Sequence, residues 1–179
     1  MTTERATPES FADRSGRLIV TSWPLLISGF FAIYAGLPWL SPLLRSWGFE
    51  RAGQTILIMY RALCHQLPER SFFIGQYQVC YCHRCTALYT TLLIMSVIFS
   101  IGRWQGGIST RLALLLTLPM AIDGTSHLLD DLLPGLGLRS DLSAVGSLNF
   151  WLRIITGTLF AIGVVLWAYP RLQRGIAQV

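Results

Sequence analysis

Four long apolar runs limit what this chain can fold into more than any other feature of its sequence. The runs cover Leu18–Leu40, Thr86–Gly102, Leu112–Leu129 and Phe150–Tyr169, and each is 17 to 23 residues long. Because a helix needs roughly 20 apolar residues to cross a bilayer, we expect an all-α fold, a polytopic membrane helix bundle with four transmembrane helices. Charged residues make up only 13% of the chain, against roughly a quarter in soluble domains, which excludes most classes of soluble enzyme.

The connection between the first two runs carries a short apolar stretch. This stretch, Ala52–Leu63, is only 12 residues long and contains Arg61, so it is too short to be predicted as a transmembrane span. We interpret it as a short interfacial helix or as half of a re-entrant hairpin, because irregular backbone at membrane depth needs protein or water to cover it. A fifth span here would move one terminus to the other side of the membrane.

Breaker residues divide the rest of the chain. Pro38 and Pro42 are expected to close the first span, Gly102–Gly107 to form a short hairpin, and Pro134–Gly137 to open the last long loop. The predicted regions are a polar N-terminal tail (1–17), a single transmembrane bundle (18–170) with a Cys/His motif loop (41–85), and a C-terminal tail (171–179). The tail before the first run is long and mixed in charge, so we expect the first helix to be retained rather than cleaved as a signal peptide.

The net charge of +5 is interpreted as an orientation signal, and no nucleic-acid partner is expected. With four spans, the side that holds both termini carries seven arginines, and the opposite side carries six. We therefore expect a multi-pass protein of the cell membrane, surrounded by the lipid bilayer, with both termini in the cytoplasm.

Four cysteines lie within 22 residues of one another, and they are the clearest chemical signal in the chain. A Cys64-His65 pair precedes Cys82-x-x-Cys85, and thiolate and imidazole ligands suit zinc or another thiophilic divalent metal. These four residues can complete a tetrahedral site without Cys80. A redox dithiol at Cys82 and Cys85, a structural disulfide, and simple helix packing remain as alternatives.

Polar residues also lie inside the third and fourth runs. Asp123 and His127 are four residues apart and project from one helical face, and Arg153 shares a face with Asn149. Because ionisable groups at membrane depth normally face a partner, a cavity or water, Asp123 is expected to be the counter-ion of Arg153 and a candidate catalytic base. The alternative is that Asp123 and His127 lie near the headgroups and that Arg153 extends toward the membrane surface.

The topology brings these residues to one place. In an antiparallel bundle the start of the second span, the end of the third and the start of the fourth lie at the same membrane face. Cys82 and Cys85 should therefore lie close to Asp123, below the loop that carries Cys64 and His65. The polar network predicted around them consists of Arg70, Arg84, Asp123, His127, Asn149 and Arg153.

At these motifs the chain resembles a family of small bacterial and archaeal membrane proteins, domain of unknown function 2085. The matching residues are Cys64-His65-Gln66-Leu67-Pro68-Glu69-Arg70-Ser71-Phe72, Cys82-His83-Arg84-Cys85 with Tyr89, Asp123-Gly124, and Asn149, Arg153 and Thr156-Gly157. The resemblance implies a shared site made of Cys64, His65, Cys82, Cys85, Asp123 and Arg153. It also implies that Cys80, His83 and His127 are features of this chain, and it brings no established activity.

Three functions are compatible with these residues. The first is a metal site at one membrane face, where Arg70 and Arg84 tune the thiolates or bind an anion, and where an open coordination position would activate water. The second is a non-catalytic accessory subunit, which docks on partner subunits of a larger membrane complex or on further copies of itself. The third is a membrane thiol oxidoreductase that uses Cys82 and Cys85.

Overall fold

The computed structural model describes residues 11–133 and 145–177, and the predicted loop opening at Pro134–Gly137 lies outside the described residues. The elements, in chain order, are α1 (Phe11–Ser46), α2 (Glu50–Met59), a 3-10 turn (Tyr60–Ala62), a second 3-10 turn (Pro68–Arg70), β1 (Ser71–Ile74), β2 (Tyr77–Cys82), α3 (His83–Gly102), α4 (Thr110–Leu132) and α5 (Leu148–Ala177). The fold is a helix bundle with one small β-hairpin, so the predicted fold class is confirmed.

Four helices in the described part of the chain are long and apolar enough to cross a membrane. They contain the segments Arg14–Ser46, His83–Gly102, Thr110–Leu129 and Leu148–Ala177, which confirms the four predicted spans. The helices extend beyond the apolar runs because hydropathy detects only the lipid-facing part of a helix, whereas the backbone hydrogen bonds continue into polar sequence. Helix α3 begins at His83, inside the cysteine motif, so its extension beyond the apolar run places Cys85 within the helix.

Helix α1 does not end at Pro38 or Pro42, contrary to the sequence-based expectation. Both prolines lie inside the helix, which continues to Ser46. Membrane helices tolerate proline where neighbouring elements cover the affected backbone, and here α2 packs against this end of α1. Ser41 of α1 donates a hydrogen bond to the carbonyl oxygen of Gly53 at 2.8 Å.

The short apolar stretch forms α2, a helix that folds back along the end of α1. An added Cβ at Gly53 would lie 2.6 Å from the carbonyl oxygen of Ser41, so only glycine permits the two backbones to come this close. The turn between the helices contains Gly48, whose φ of 88° lies in the left-handed region. The short additional helix is therefore confirmed, and it is not one of the four candidate spans found among the described residues.

A two-stranded antiparallel hairpin connects this region to α3. Its strands β1 and β2 pair Ser71 with Cys82 and Ile74 with Tyr77, and its turn contains Gly75 at a φ of 59°. These strands were not predicted from the sequence. Since β2 runs directly into α3, the hairpin determines where the first turn of α3 lies.

The core of the bundle lies where α3 packs against α1 and α5. Trp23, Phe99 and Tyr169 pack there with ring centroids 5.3 to 5.5 Å apart. At the other end of this interface, an added Cβ at Gly157 would lie only 2.8 Å from the carbonyl oxygen of Arg84. This glycine therefore allows α5 to approach the first turn of α3, which carries the cysteine motif.

Candidate metal centre and polar pocket

Three of the four cysteines converge. The Sγ atoms of Cys64, Cys82 and Cys85 all lie within 4.8 Å of one another. In a tetrahedral zinc site with Zn–S bonds of about 2.3 Å, the sulfurs lie about 3.8 Å apart. These three sulfurs are therefore close to the spacing at which a single ion can bind all of them, and we refer to them as the three-thiol group.

Local structure explains why the three sulfurs meet. Cys82 is the last residue of β2 and the N-cap of α3, and Cys85 lies in the first turn of that helix. Cys64 follows the 3-10 turn that ends α2, and its Sγ accepts a hydrogen bond from the backbone N–H of Cys82 at 3.3 Å. The group thus joins the end of α2, the hairpin and the start of α3.

Gln66 holds the loop after Cys64 in place. Its φ of 52° lies in the left-handed region, and its side-chain amide donates a hydrogen bond to the carbonyl oxygen of Leu57 at 2.8 Å. Its own carbonyl oxygen accepts a hydrogen bond from the Gln78 side chain at 2.7 Å. Gln66 was not predicted as a site residue, although it lies in the motif that carries the family resemblance.

Hydrogen bonds among the three thiols shift their pKa values in opposite directions. The hydrogen bond with Cys64, followed by that with Cys85, lowers the pKa of the Cys82 thiol, and the charge of Arg84 acts in the same direction. The same hydrogen bond with Cys82 raises the pKa of the Cys64 thiol, to which burial also contributes. Cys82 also lies at the N-terminus of α3, where the helix dipole favours a thiolate. Cys82 is therefore the most acidic thiol of the group.

The remaining cysteine and the histidines lie outside the three-thiol group. Cys80 is fully buried, and burial raises the pKa of its thiol. His65, a predicted metal ligand, is exposed and lines the neighbouring cavity, but its ring nitrogens are not part of the group. His83 is buried between the rings of Phe72 and Phe150, with centroids 4.6 and 4.8 Å away, and packs as an aromatic residue.

Asp123 connects three helices through its carboxylate. Its Oδ2 atom accepts a hydrogen bond in an ion pair from Arg84 of α3, and a second from Thr156 of α5 at 3.4 Å. Asp123 thus forms its direct ion pair with Arg84 rather than with Arg153, the predicted partner, and Arg153 is linked to Asp123 through His127. The sequence could not distinguish them because hydropathy and spacing do not fix how α3 is rotated about its axis.

Arg153 lies deep in the same polar region and is only 2% exposed. Its Nη2 atom lies 3.3 Å from Nε2 of His127, which in turn lies 3.9 Å from Oδ1 of Asp123. Asn149, one helical turn earlier on α5, is also buried. Asp123, His127 and Arg153 therefore form a connected polar network at the end of the bundle where the thiols lie.

A cavity of about 310 Å³ joins the thiols to this network. The residues that line it are Leu63, Cys64, His65, Gln66, Leu67, Arg70, Cys82, Arg84, Cys85, Met120, Gly124, His127, Leu128 and Arg153. It therefore contains all four predicted metal ligands and four of the six residues of the predicted polar network. Asp123 is not among the lining residues, so it acts on the cavity through Arg84.

Four tyrosines close the other side of the thiols. Tyr81 stacks on Tyr89 at 4.9 Å, Tyr60 contacts the edge of Tyr81 at 5.1 Å, and Tyr34 contacts Tyr89 at 4.9 Å. Cys64 packs in the same apolar cluster. Burial raises the pKa of Tyr60 and of Tyr81, so their phenols stay neutral. The tyrosines are dispersed along the sequence, and no spacing in it indicated that they would meet.

Comparisons with known proteins agree with the membrane fold and name no activity. The model of a family described as "Predicted membrane protein (DUF2085)" matches residues 64–167, which is more than half of the chain. An uncharacterised protein of Methanocaldococcus jannaschii is 33% identical over 115 residues, which cover 63% of this chain and 65% of that protein. The match thus covers slightly less than two thirds of the relative. No solved structure matches.

Proposed function

The chain belongs to the family of membrane proteins called domain of unknown function 2085, and within it we propose that the chain binds one thiophilic divalent metal ion of the zinc class. Cys64, Cys82 and Cys85 are the proposed ligands. The observation that carries the proposal is the convergence of three sulfur atoms to within 4.8 Å. The ion lies at the end of the bundle where α3 begins.

The chemistry of this group favours a metal over a disulfide. A disulfide needs two sulfurs, whereas here a third thiol approaches from a separate segment, and its Sγ already accepts a hydrogen bond from the backbone of Cys82. Thiolates are soft ligands that suit zinc and related ions. The apolar tyrosine side of the group limits access of water and strengthens electrostatic binding there.

The fourth coordination position decides whether the ion is structural or reactive. His65 is the fourth ligand expected from the sequence, and it lies exposed on the cavity wall, outside the three-thiol group. With His65 bound the site is closed. Without it the ion keeps a position open to the cavity, where it would polarise a bound molecule or lower the pKa of bound water.

Asp123 is proposed to position Arg84. Its carboxylate is held by Arg84 and Thr156, and it does not line the cavity. The role of catalytic base, which the sequence suggested for Asp123, requires an open metal position and stays a prediction.

The test is the metal content of the detergent-purified protein, measured by element, together with the number of free thiols. We expect about one metal ion per chain in the wild type and in Cys80→Ser, because Cys80 lies outside the group. The Cys64→Ser, Cys82→Ser and Cys85→Ser variants should lose it. Wild-type protein without metal, or with its thiols oxidised in pairs, would contradict the proposal, and loss of metal from His65→Ala would identify a closed site.

A thiol oxidoreductase is the second candidate, because the lowered pKa of Cys82 at the N-terminus of α3 is typical of reactive dithiols. It predicts that Cys82 and Cys85 lose two free thiols on mild oxidation and regain them on reduction. A metal content that stays constant through this cycle would exclude it.

A further inference from the structure

We propose that the cavity beside the three-thiol group binds a phosphate group, held by the guanidinium groups of Arg84 and Arg153. This inference goes beyond the proposed metal site and does not require a bound metal ion. It depends on the arginines and on the shape and charge of the cavity.

Arg153 is the first reason. Its side chain lines the cavity, it is 2% exposed, and its Nη1 atom is buried without a hydrogen-bond partner among the described residues. A buried donor that lacks a partner costs about 1–3 kcal/mol, and more when it is charged. A bound anion would supply the missing acceptor.

Arg84 is the second reason. It lines the same cavity, and its Nε atom is also buried without a partner in the described part of the chain. Its Nη2 atom donates a hydrogen bond to Asp123, which restrains the guanidinium group. An arginine oriented in this way is organised in advance to bind an anion, because little side-chain entropy is lost on binding.

The charge of the cavity is the third reason. Arg70 joins Arg84 and Arg153 on its wall, and no carboxylate is among the described residues that line it. Asp123 offsets the charge of Arg84, so the buried guanidinium group of Arg153 is the main positive charge that remains at the cavity wall. Arginine forks match the oxygen spacing of phosphate and bind it through paired hydrogen bonds.

The shape of the cavity indicates room for more than an inorganic ion. Its volume of about 310 Å³ is at the lower end of the range for small-molecule sites, which begins at roughly 300 Å³. Leu63, Leu67 and Leu128 line the same cavity, and all three are exposed at its edge. The phosphate can therefore belong to a lipid headgroup or to a small phosphate compound.

The experiment measures the thermal unfolding midpoint of the full chain in a phosphate-free maltoside detergent. One arm compares sodium phosphate with sodium chloride at equal ionic strength. The other compares dioctanoyl phosphatidic acid with dioctanoylglycerol, which has the same chains but no phosphate. We expect a rise in the midpoint with phosphatidic acid alone if the source is a lipid, and with inorganic phosphate as well if the site accepts free phosphate.

Variants locate the effect. Arg153→Gln removes the charge, and Arg153→Lys keeps the charge but lacks the paired hydrogen-bond donors of the guanidinium group. Both substitutions should weaken phosphate binding by about tenfold or more. Arg61→Gln removes the same charge from an exposed residue that does not line the cavity, and it should bind as the wild type does. If an Arg153 variant fails to fold, Arg84→Lys provides the same comparison.

The proposal is overturned if neither phosphate probe raises the midpoint of the wild type above its control, or if Arg61→Gln loses as much as the Arg153 variants. Metal content is measured on the same samples. Phosphate binding by a protein without metal would refute the proposed metal site and leave the phosphate site intact. A protein that binds metal but no phosphate would refute the phosphate site and leave the metal site intact.

Discussion

The contact between α3 and α5 at Gly157 gives a sharp test of how the bundle positions the thiols. We predict that Gly157→Ala destabilises the protein. The new Cβ would lie 2.8 Å from the carbonyl oxygen of Arg84 and 3.3 Å from the backbone nitrogen of Leu88. The closer contact is about 0.6 Å shorter than an ordinary van der Waals contact, which begins at 3.4 Å.

Both contacted atoms belong to the backbone of α3, so no side chain can rotate away and the two helices must separate. Overpacking of this kind costs about 1–3 kcal/mol, which is about a 5- to 150-fold change in the folding equilibrium. The first turn of α3 also carries Cys82 and Cys85, so we expect the metal content of Gly157→Ala to fall as well.

The assay is thermal unfolding in detergent, with metal content measured on the same preparations. For a chain of this size, about 2–4 °C of midpoint is lost for each kcal/mol. Gly36→Ala is the matched control, because Gly36 lies within α1 and has no atom within 4 Å of an added Cβ. The reasoning is refuted if Gly157→Ala unfolds at the midpoint of Gly36→Ala and keeps its metal.

Two further predictions concern the ion pair and the thiols. Asp123→Asn leaves the guanidinium of Arg84 without its buried counter-ion, so we expect a loss of about 3–5 kcal/mol in stability, measured by thermal unfolding. Glu69→Gln, at a residue whose side chain is 55% exposed, should change stability by less than about 1 kcal/mol, and equal effects would contradict the assignment. In chelator-treated protein, Cys82 should react with iodoacetamide at pH 6, because its lowered pKa keeps the thiolate present at a pH where an ordinary thiol is protonated. Burial raises the pKa of the Cys80 thiol, so Cys80 should react last when the modified cysteines are mapped by mass spectrometry. Equal reaction rates for Cys80 and Cys82 would contradict the difference in their pKa values.

The membrane fold could be predicted from the sequence because it depends on composition over long windows. Four apolar runs of spanning length admit few other folds, since the bilayer requires every backbone group of a span to be paired internally. The convergence of Cys82, Cys85 and Asp123 at one end of the bundle also followed from counting antiparallel spans. Neither inference needed any knowledge of side-chain packing.

The features that the sequence did not reveal depend on contacts between distant segments. The hairpin β1–β2 is short, and an isolated two-stranded hairpin is only marginally stable; here both strands pack against α1, and β2 also contacts α3. The partner of Asp123 depends on the rotation of α3, which apolar spacing leaves undetermined when a helix is apolar on all sides. His65 follows Cys64 directly, yet its side chain is exposed and lies outside the three-thiol group.

The most direct test of the account is X-ray absorption spectroscopy of the purified protein, at the absorption edge of the metal that we propose it binds. We predict three sulfur neighbours at about 2.3 Å, as expected for zinc thiolate bonds, and one lighter neighbour, nitrogen or oxygen, in the fourth position. The same spectrum should persist in Cys80→Ser. A shell of four sulfurs, or one with only nitrogen and oxygen neighbours, would contradict the assignment of Cys64, Cys82 and Cys85 as the metal ligands.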